Sequence, residues 1–224
     1  MGYYIDLKNI SIDEYREKLK SADLLPSRMV LKENINEIFN IIKKQEIENV
    51  DELRAELKSK KNTQDFSKQT GIAEGYLRIL ARDVNSYHQR PIKIKDFPGI
   101  PEDVILKLAN IGINNTLQLF DKILSPQSRN ELSSDTGISK REILILARLT
   151  DLSRIRWVNH TFAYVLLEAG YDSAAKVAAA DFNELYVEVK KLNEEREIFK
   201  GHIGLHDMKL CVDAAKDLSL DIEY

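Results

Sequence analysis

Ser67 to Arg82 reads SKQTGIAEGYLRILAR, and Ser133 to Arg148, 66 residues further on, reads SSDTGISKREILILAR. Eight of these sixteen positions match without a gap: Ser67/Ser133, Thr70/Thr136, Gly71/Gly137, Ile72/Ile138, Ile79/Ile145, Leu80/Leu146, Ala81/Ala147 and Arg82/Arg148. Ordinary residue frequencies would give roughly one match. The same offset aligns Ile47 with Ile113, Asn49 with Asn115 and Leu53 with Leu119. Such self-similarity marks a duplicated structural unit, which must bury its apolar face against its neighbours. A fainter third copy follows, with Gly170 standing for Gly112 and Ile203-Gly-Leu for Thr136-Gly-Ile.

Each unit reads as about four short helices, and the fold class is all-α. In the middle unit Pro101 suits a first helical turn, and Val104, Ile105, Leu108 and Ile111 recur at helical spacing. Gly112 can end that helix in a left-handed cap. Asn115 with Gln118 has capping-box spacing, Ser125-Pro126 starts a third helix, and Ser139 with Glu142 caps a fourth. Ser11/Glu14, Asn49/Glu52 and Asp181/Glu184 repeat that spacing. No stretch alternates with a two-residue period as a strand would. Residues 1–91 are expected to form an N-terminal helical domain holding the first unit, and 92–224 a paired-unit domain. His88-Gln-Arg-Pro-Ile-Lys-Ile-Lys is the expected extended linker, because Pro91 steers its predecessor out of helix.

With 224 residues, 43% hydrophobic and 31% charged, the chain can bury a core without disulfides. Its apolar runs are too short to span a bilayer, so no membrane partner is expected. No leader marks it for secretion, and the single cysteine, Cys211, fits a reducing cytoplasm. Lys and Arg outnumber Asp and Glu 16 to 15 in residues 1–91 and 9 to 8 in 92–155, but fall to 8 against 13 in 156–224. That acidic last third argues against nonspecific coating of nucleic acid, whose affinity comes from neutralising phosphates.

Phe97-Pro-Gly-Ile-Pro-Glu-Asp-Val-Ile-Leu-Lys-Leu-Ala-Asn-Ile-Gly-Ile resembles the helix-hairpin-helix motif, with Pro98, Gly99, Ile100, Leu108, Gly112 and Ile113 matching; Gly170 is kept in the third copy. The whole chain, including Leu24-Leu-Pro-Ser-Arg and Asp151-Leu-Ser-Arg-Ile, resembles a bacterial family of unknown function, the domain-of-unknown-function family numbered 4332. The resemblance implies tandem helix-hairpin-helix units, which typically grip a DNA phosphate through hairpin amides at a helix N-terminus. The sequence departs from that pattern at the hairpins. Pro101 has no N–H to donate and is followed by Glu102 and Asp103, which repel an anion. Trp157-Val-Asn replaces Gly-Val-Gly in the third copy, and the first has Glu33 opposite Gly99 and Glu46 opposite Gly112. Degenerate hairpins on retained packing residues fit a scaffold better than a DNA clamp.

The case for nucleic acid rests on Lys140, Arg141, Arg148, Arg154 and Arg156, with Lys93 and Lys95 upstream and Trp157 available to stack a base or an arginine. The competing reading is a solvated helix face beside a buried tryptophan. Lys58, Lys60 and Lys61 are expected at a helix C-terminus, where the dipole favours cations. His202 and His206 have the spacing of two imidazoles on one helix face, but Ile203 stands where a zinc protease would carry glutamate. No metal and no cofactor is expected. Cys211 reads as a buried inert thiol, no phosphate-cradling loop or nucleophile elbow is present, and no catalytic residue is assigned. The expectation is a non-enzymatic helical module binding a protein partner, with DNA or RNA binding through the cationic cluster as the alternative.

Overall fold

A computed structural model describes residues 2–224, and among these residues the regular structure is helical, with no strand. The chain divides into two compact units. One is Ile5–His88; the other joins the chain's first residues, through Tyr4, to Gln89–Tyr224.

The Ile5–His88 unit contains α1 (Ile12–Ser21), α2 (Ile35–Lys43), α3 (Val50–Glu56), α4 (Lys60–Thr70) and α5 (Glu74–Asn85). Ser11 and Glu14 close a reciprocal capping box at the start of α1, as their spacing predicts. Tyr15, Phe39, Leu53, Leu77 and Leu80 fill the centre. One charged group lies inside: Asp83, 1% exposed, accepts from the Tyr15 hydroxyl at 2.7 Å and from Arg28 at 2.6 Å. A buried carboxylate needs such partners, because leaving it unpaired forfeits its solvation without return.

The other unit contains α6 (Glu102–Asn110), α7 (Thr116–Phe120), α8 (Pro126–Thr136), α9 (Lys140–Leu152), α10 (His160–Glu168), α11 (Ala174–Ala179), α12 (Phe182–Arg196) and α13 (Leu205–Lys216). Shifting α2–α5 by 66 residues brings their boundaries onto α6–α9 within a few residues. The matching residues make matching bonds. Ser67 Oγ donates to the Ile72 carbonyl at 2.6 Å, and Ser133 Oγ to Ile138 at 2.7 Å. The Thr70 and Thr136 hydroxyls donate to the carbonyls four residues back, while Gly71 and Gly137 end their helices at φ +75° and +65°. The Ser-Thr-Gly-Ile signature is therefore the chemistry of one interhelix turn, made twice. Asn49 and Asn115 likewise cap α3 and α7, accepting from Glu52 and Gln118 N–H groups, each at 3.0 Å.

Two readings are corrected. Pro101 is the N-cap of α6 rather than part of its first turn, with extended backbone at ψ 145°. Lys60 and Lys61 open α4 instead of closing a helix, because Ser59 caps it by accepting from the Asn62 N–H at 3.1 Å. They sit at the end of the dipole that disfavours cations.

The first residues of the chain complete this second unit. Tyr3 is 5% exposed, packs edge-on against Phe120 and shares a 2.6 Å hydrogen bond with the Thr116 hydroxyl. Arg154 is the fastening. Its Nε donates to the Tyr3 carbonyl at 3.1 Å, and its terminal nitrogens to the carbonyls of Gly2 and Ser219 and to Asp151. The guanidinium also lies 4.7 Å from the centre of the Phe120 ring.

Candidate functional site

The hairpin before α6 and the first turns of α9 bound an open cleft of about 520 Å³, within the roughly 300–1,000 Å³ of sites that hold ligands. Gly99, Ile100, Pro101 and Val104 form one wall. Ser139, Arg141, Glu142, Ile145 and Leu146 form the other. The hairpin turns at Gly99, whose φ of +74° suits glycine, and the space a Cβ would occupy there lies 3.4 Å from the Tyr164 hydroxyl. The Ser139–Glu142 capping box fixes the opposite wall: Glu142 accepts from the Ser139 N–H at 3.1 Å and hydroxyl at 2.7 Å. That carboxylate is thereby engaged, whereas Arg141 is exposed and has no hydrogen-bond or ion-pair partner among the described residues. Lys140, beside it, is also exposed.

The cleft thus unites part of the hairpin motif, Gly99 and Ile100, with one member of the cationic cluster, Arg141; Pro98 is half-buried just before the turn. The cluster itself divides. Arg154 and Arg156 are 4% and 7% exposed, so both are withdrawn from solvent and correct the reading of five cations on one solvated face. Arg154 can be buried because its donors meet three backbone carbonyls and the Asp151 carboxylate. Arg148 is half-buried and paired with Asp172 at 2.9 Å. Lys93 and Lys95 remain exposed on the segment before α6.

Trp157 is 39% exposed, not buried, and its ring lies 4.3 Å from the Arg156 guanidinium. Its φ of +68° reproduces the turn that Gly99 makes in the preceding copy. A large side chain adopts that conformation only when its surroundings enforce it. Gln89 does so, accepting from the Trp157 N–H at 3.1 Å while its amide nitrogen donates to the carbonyls of Ser153 and Ile155. Sequence reasoning passed over Gln89 as linker, and no local pattern marks a side chain that bonds backbone over sixty residues away.

Gly112 and Gly170 end α6 and α10 at φ +82° and +89°. In each, the following residue's N–H returns to the carbonyl five residues earlier, Ile113 to Leu108 and Tyr171 to Leu166, both at 2.9 Å, a Schellman ending. These glycines serve helix termination. His202 lies before α13 and His206 in its first turn, with Gly204 as N-cap between them, so one helix face does not carry both. No cluster of three metal-ligating side chains occurs among the described residues. Burial pushes the Cys211 thiol up to about 12, leaving it protonated at neutral pH.

Among its described residues the chain is all-helical. The chain is a member of the family described as Domain of unknown function (DUF4332), whose model matches residues 98–218, more than half its length. No curated protein and no solved structure matches the chain. No helix among the described residues is long and apolar enough to cross a membrane.

Proposed function

We propose that this protein is a non-enzymatic helical interaction module that binds another protein through the cleft between the hairpin and α9. The observation that carries this reading is the cleft's lining: half-buried Ile100 and Ile145, with exposed Pro101, flank an arginine that makes no hydrogen bond or ion pair. Peptide-recognition grooves combine apolar pockets for side chains with a polar rim. A phosphate backbone instead needs several exposed cations and free hairpin amides. Here Pro101 offers no amide, Glu102 and Asp103 open α6, and two of the cluster's arginines are buried. The degenerate hairpins fit a helix-hairpin-helix-like scaffold put to a different use.

The test pairs affinity capture with fluorescence anisotropy on single-stranded, duplex and branched DNA and on RNA, through a salt titration. The expected result is a protein retained by the wild type and lost by Ile145→Asp, with the variant's helical circular dichroism unchanged. Nucleic-acid binding that weakens log-linearly with salt, falls in Arg141→Glu and persists in Ile145→Asp would replace this reading with the nucleic-acid one.

A further inference from the structure

Lys140 and Arg141 occupy the first two positions of α9, where the helix dipole disfavours cations. The corresponding positions of α5 carry Glu74 and Gly75, so this helix start can be built with an acid. The two copies therefore share backbone and differ in charge at this spot. At the hairpin the left-handed turn falls one residue later in the first copy, at Asn34 with φ +47°, while Glu33, opposite Gly99, has φ −71°. The second copy alone combines the hairpin turn with a cationic helix start.

Nothing within the described chain uses that charge. Arg141 lines the cleft without a partner, Glu142 is held by Ser139, and Asp103, on the hairpin side, pairs with Lys107 at 3.2 Å. The incoming group must be anionic to match Arg141. It must also carry apolar side chains, because the accessible apolar lining is Ile100, Pro101 and Ile145, with Val104 and Leu146 buried behind them.

Building on the protein-binding reading, we infer that the occupant of the cleft is an apolar peptide segment bearing a carboxylate, seated on Arg141. A guanidinium takes a carboxylate through two parallel hydrogen bonds.

The experiment uses the whole 224-residue chain and three pools of C-terminally amidated random dodecapeptides built from Leu, Ile, Phe, Ala and Ser and labelled with an uncharged fluorophore. The pools differ in one further residue: Glu, Gln or Lys. The wild type should bind the Glu pool at least tenfold more tightly than the Gln pool and reject the Lys pool. Arg141→Gln should erase the difference between the Glu and Gln pools, and Arg141→Glu should turn the preference to Lys. Glu and Gln pools bound equally by the wild type would overturn the carboxylate inference while leaving the protein-binding reading intact. Failure of the wild type to bind any pool overturns the inference too, and salt-dependent nucleic-acid binding in the same samples would take the broader reading with it. Because Arg141 is exposed and makes no hydrogen bond or ion pair, its variants should keep the wild-type melting temperature, which excludes misfolding as the cause of a loss.

Discussion

The Nε of Arg154 donates to the carbonyl of Tyr3 at 3.1 Å, joining residues 151 positions apart in sequence. The same guanidinium meets Asp151 at 3.1 Å, and neither side chain is more than 5% exposed. Burial raises the Asp151 pKa, opposed by the Ala174 N–H and the Arg154 charge. Removing the arginine would leave that carboxylate without its counter-charge, though still bonded to the Ala174 N–H and the Tyr224 hydroxyl, and would leave three backbone carbonyls without this donor. Arg154→Ala should therefore destabilise this unit by about 3–5 kcal/mol, the cost of breaking a buried pair. Urea unfolding followed by the fluorescence of Trp157, the chain's one tryptophan, reads this unit directly. A loss below about 1 kcal/mol would mean that water or relaxation replaces the network.

Thr150 and Val84 are equivalent positions in α9 and α5, and both are fully buried. The Thr150 hydroxyl has no hydrogen-bond partner. Thr150→Val should raise stability by about 1 kcal/mol, since it removes a buried polar group that makes no bond. The same fluorescence-detected unfolding measures it, and a decrease would show that the hydroxyl has a water partner.

Glu46 stands where the second and third copies have Gly112 and Gly170, and it holds the same left-handed backbone at φ +60°. An L-residue there costs roughly 1–2 kcal/mol, part of which glycine returns as entropy in the unfolded chain. Glu46→Gly should stabilise the Ile5–His88 unit by about 0.5–1 kcal/mol. Thermal melting monitored by circular dichroism would register an upward shift; a downward one would assign the Glu46 side chain a stabilising role.

The ring of His88 donates from Nε2 to the Ile5 carbonyl at 2.9 Å. Burial holds its pKa below the ordinary 6.5, partly opposed by that hydrogen bond. Between the depressed folded value and 6.5 the unfolded chain binds more protons, so stability falls as pH drops through this window. His88→Gln should flatten the dependence. The check is denaturant unfolding, detected by circular dichroism, at pH 7.5 and pH 5.5 for both proteins.

Much of the fold was readable because it is local. Ser67, Thr70, Gly71 and Ile72 bond within a few residues of one another, so the turn they make is visible wherever they recur. Capping spacings such as Ser139/Glu142 are legible for the same reason. Assignments failed by small steps where two helix ends adjoin, as at Lys60, which follows one short helix and opens the next. The candidate site was only half legible. Gly99 and Arg141 each stood out, but their meeting across a cleft depends on how α6 packs against α9. The cationic cluster was misread at Arg154 and Arg156 because sequence shows a charge without showing what encloses it. Tyr3 and Ser219, the groups that enclose Arg154, lie at distant points along the chain.

The bond between Tyr3 and Arg154 also sets an order of events during synthesis. Residues 2–4 emerge from the ribosome well before the side chains that receive them. At about 5–20 residues per second, the interval before Arg154 follows is on the order of ten seconds. Throughout that interval the aromatic pair Tyr3-Tyr4 has no docking place, while the whole of Ile5–His88 has already been made and can fold. Closing the second unit is therefore a late, long-range step, with the two tyrosines undocked until it occurs.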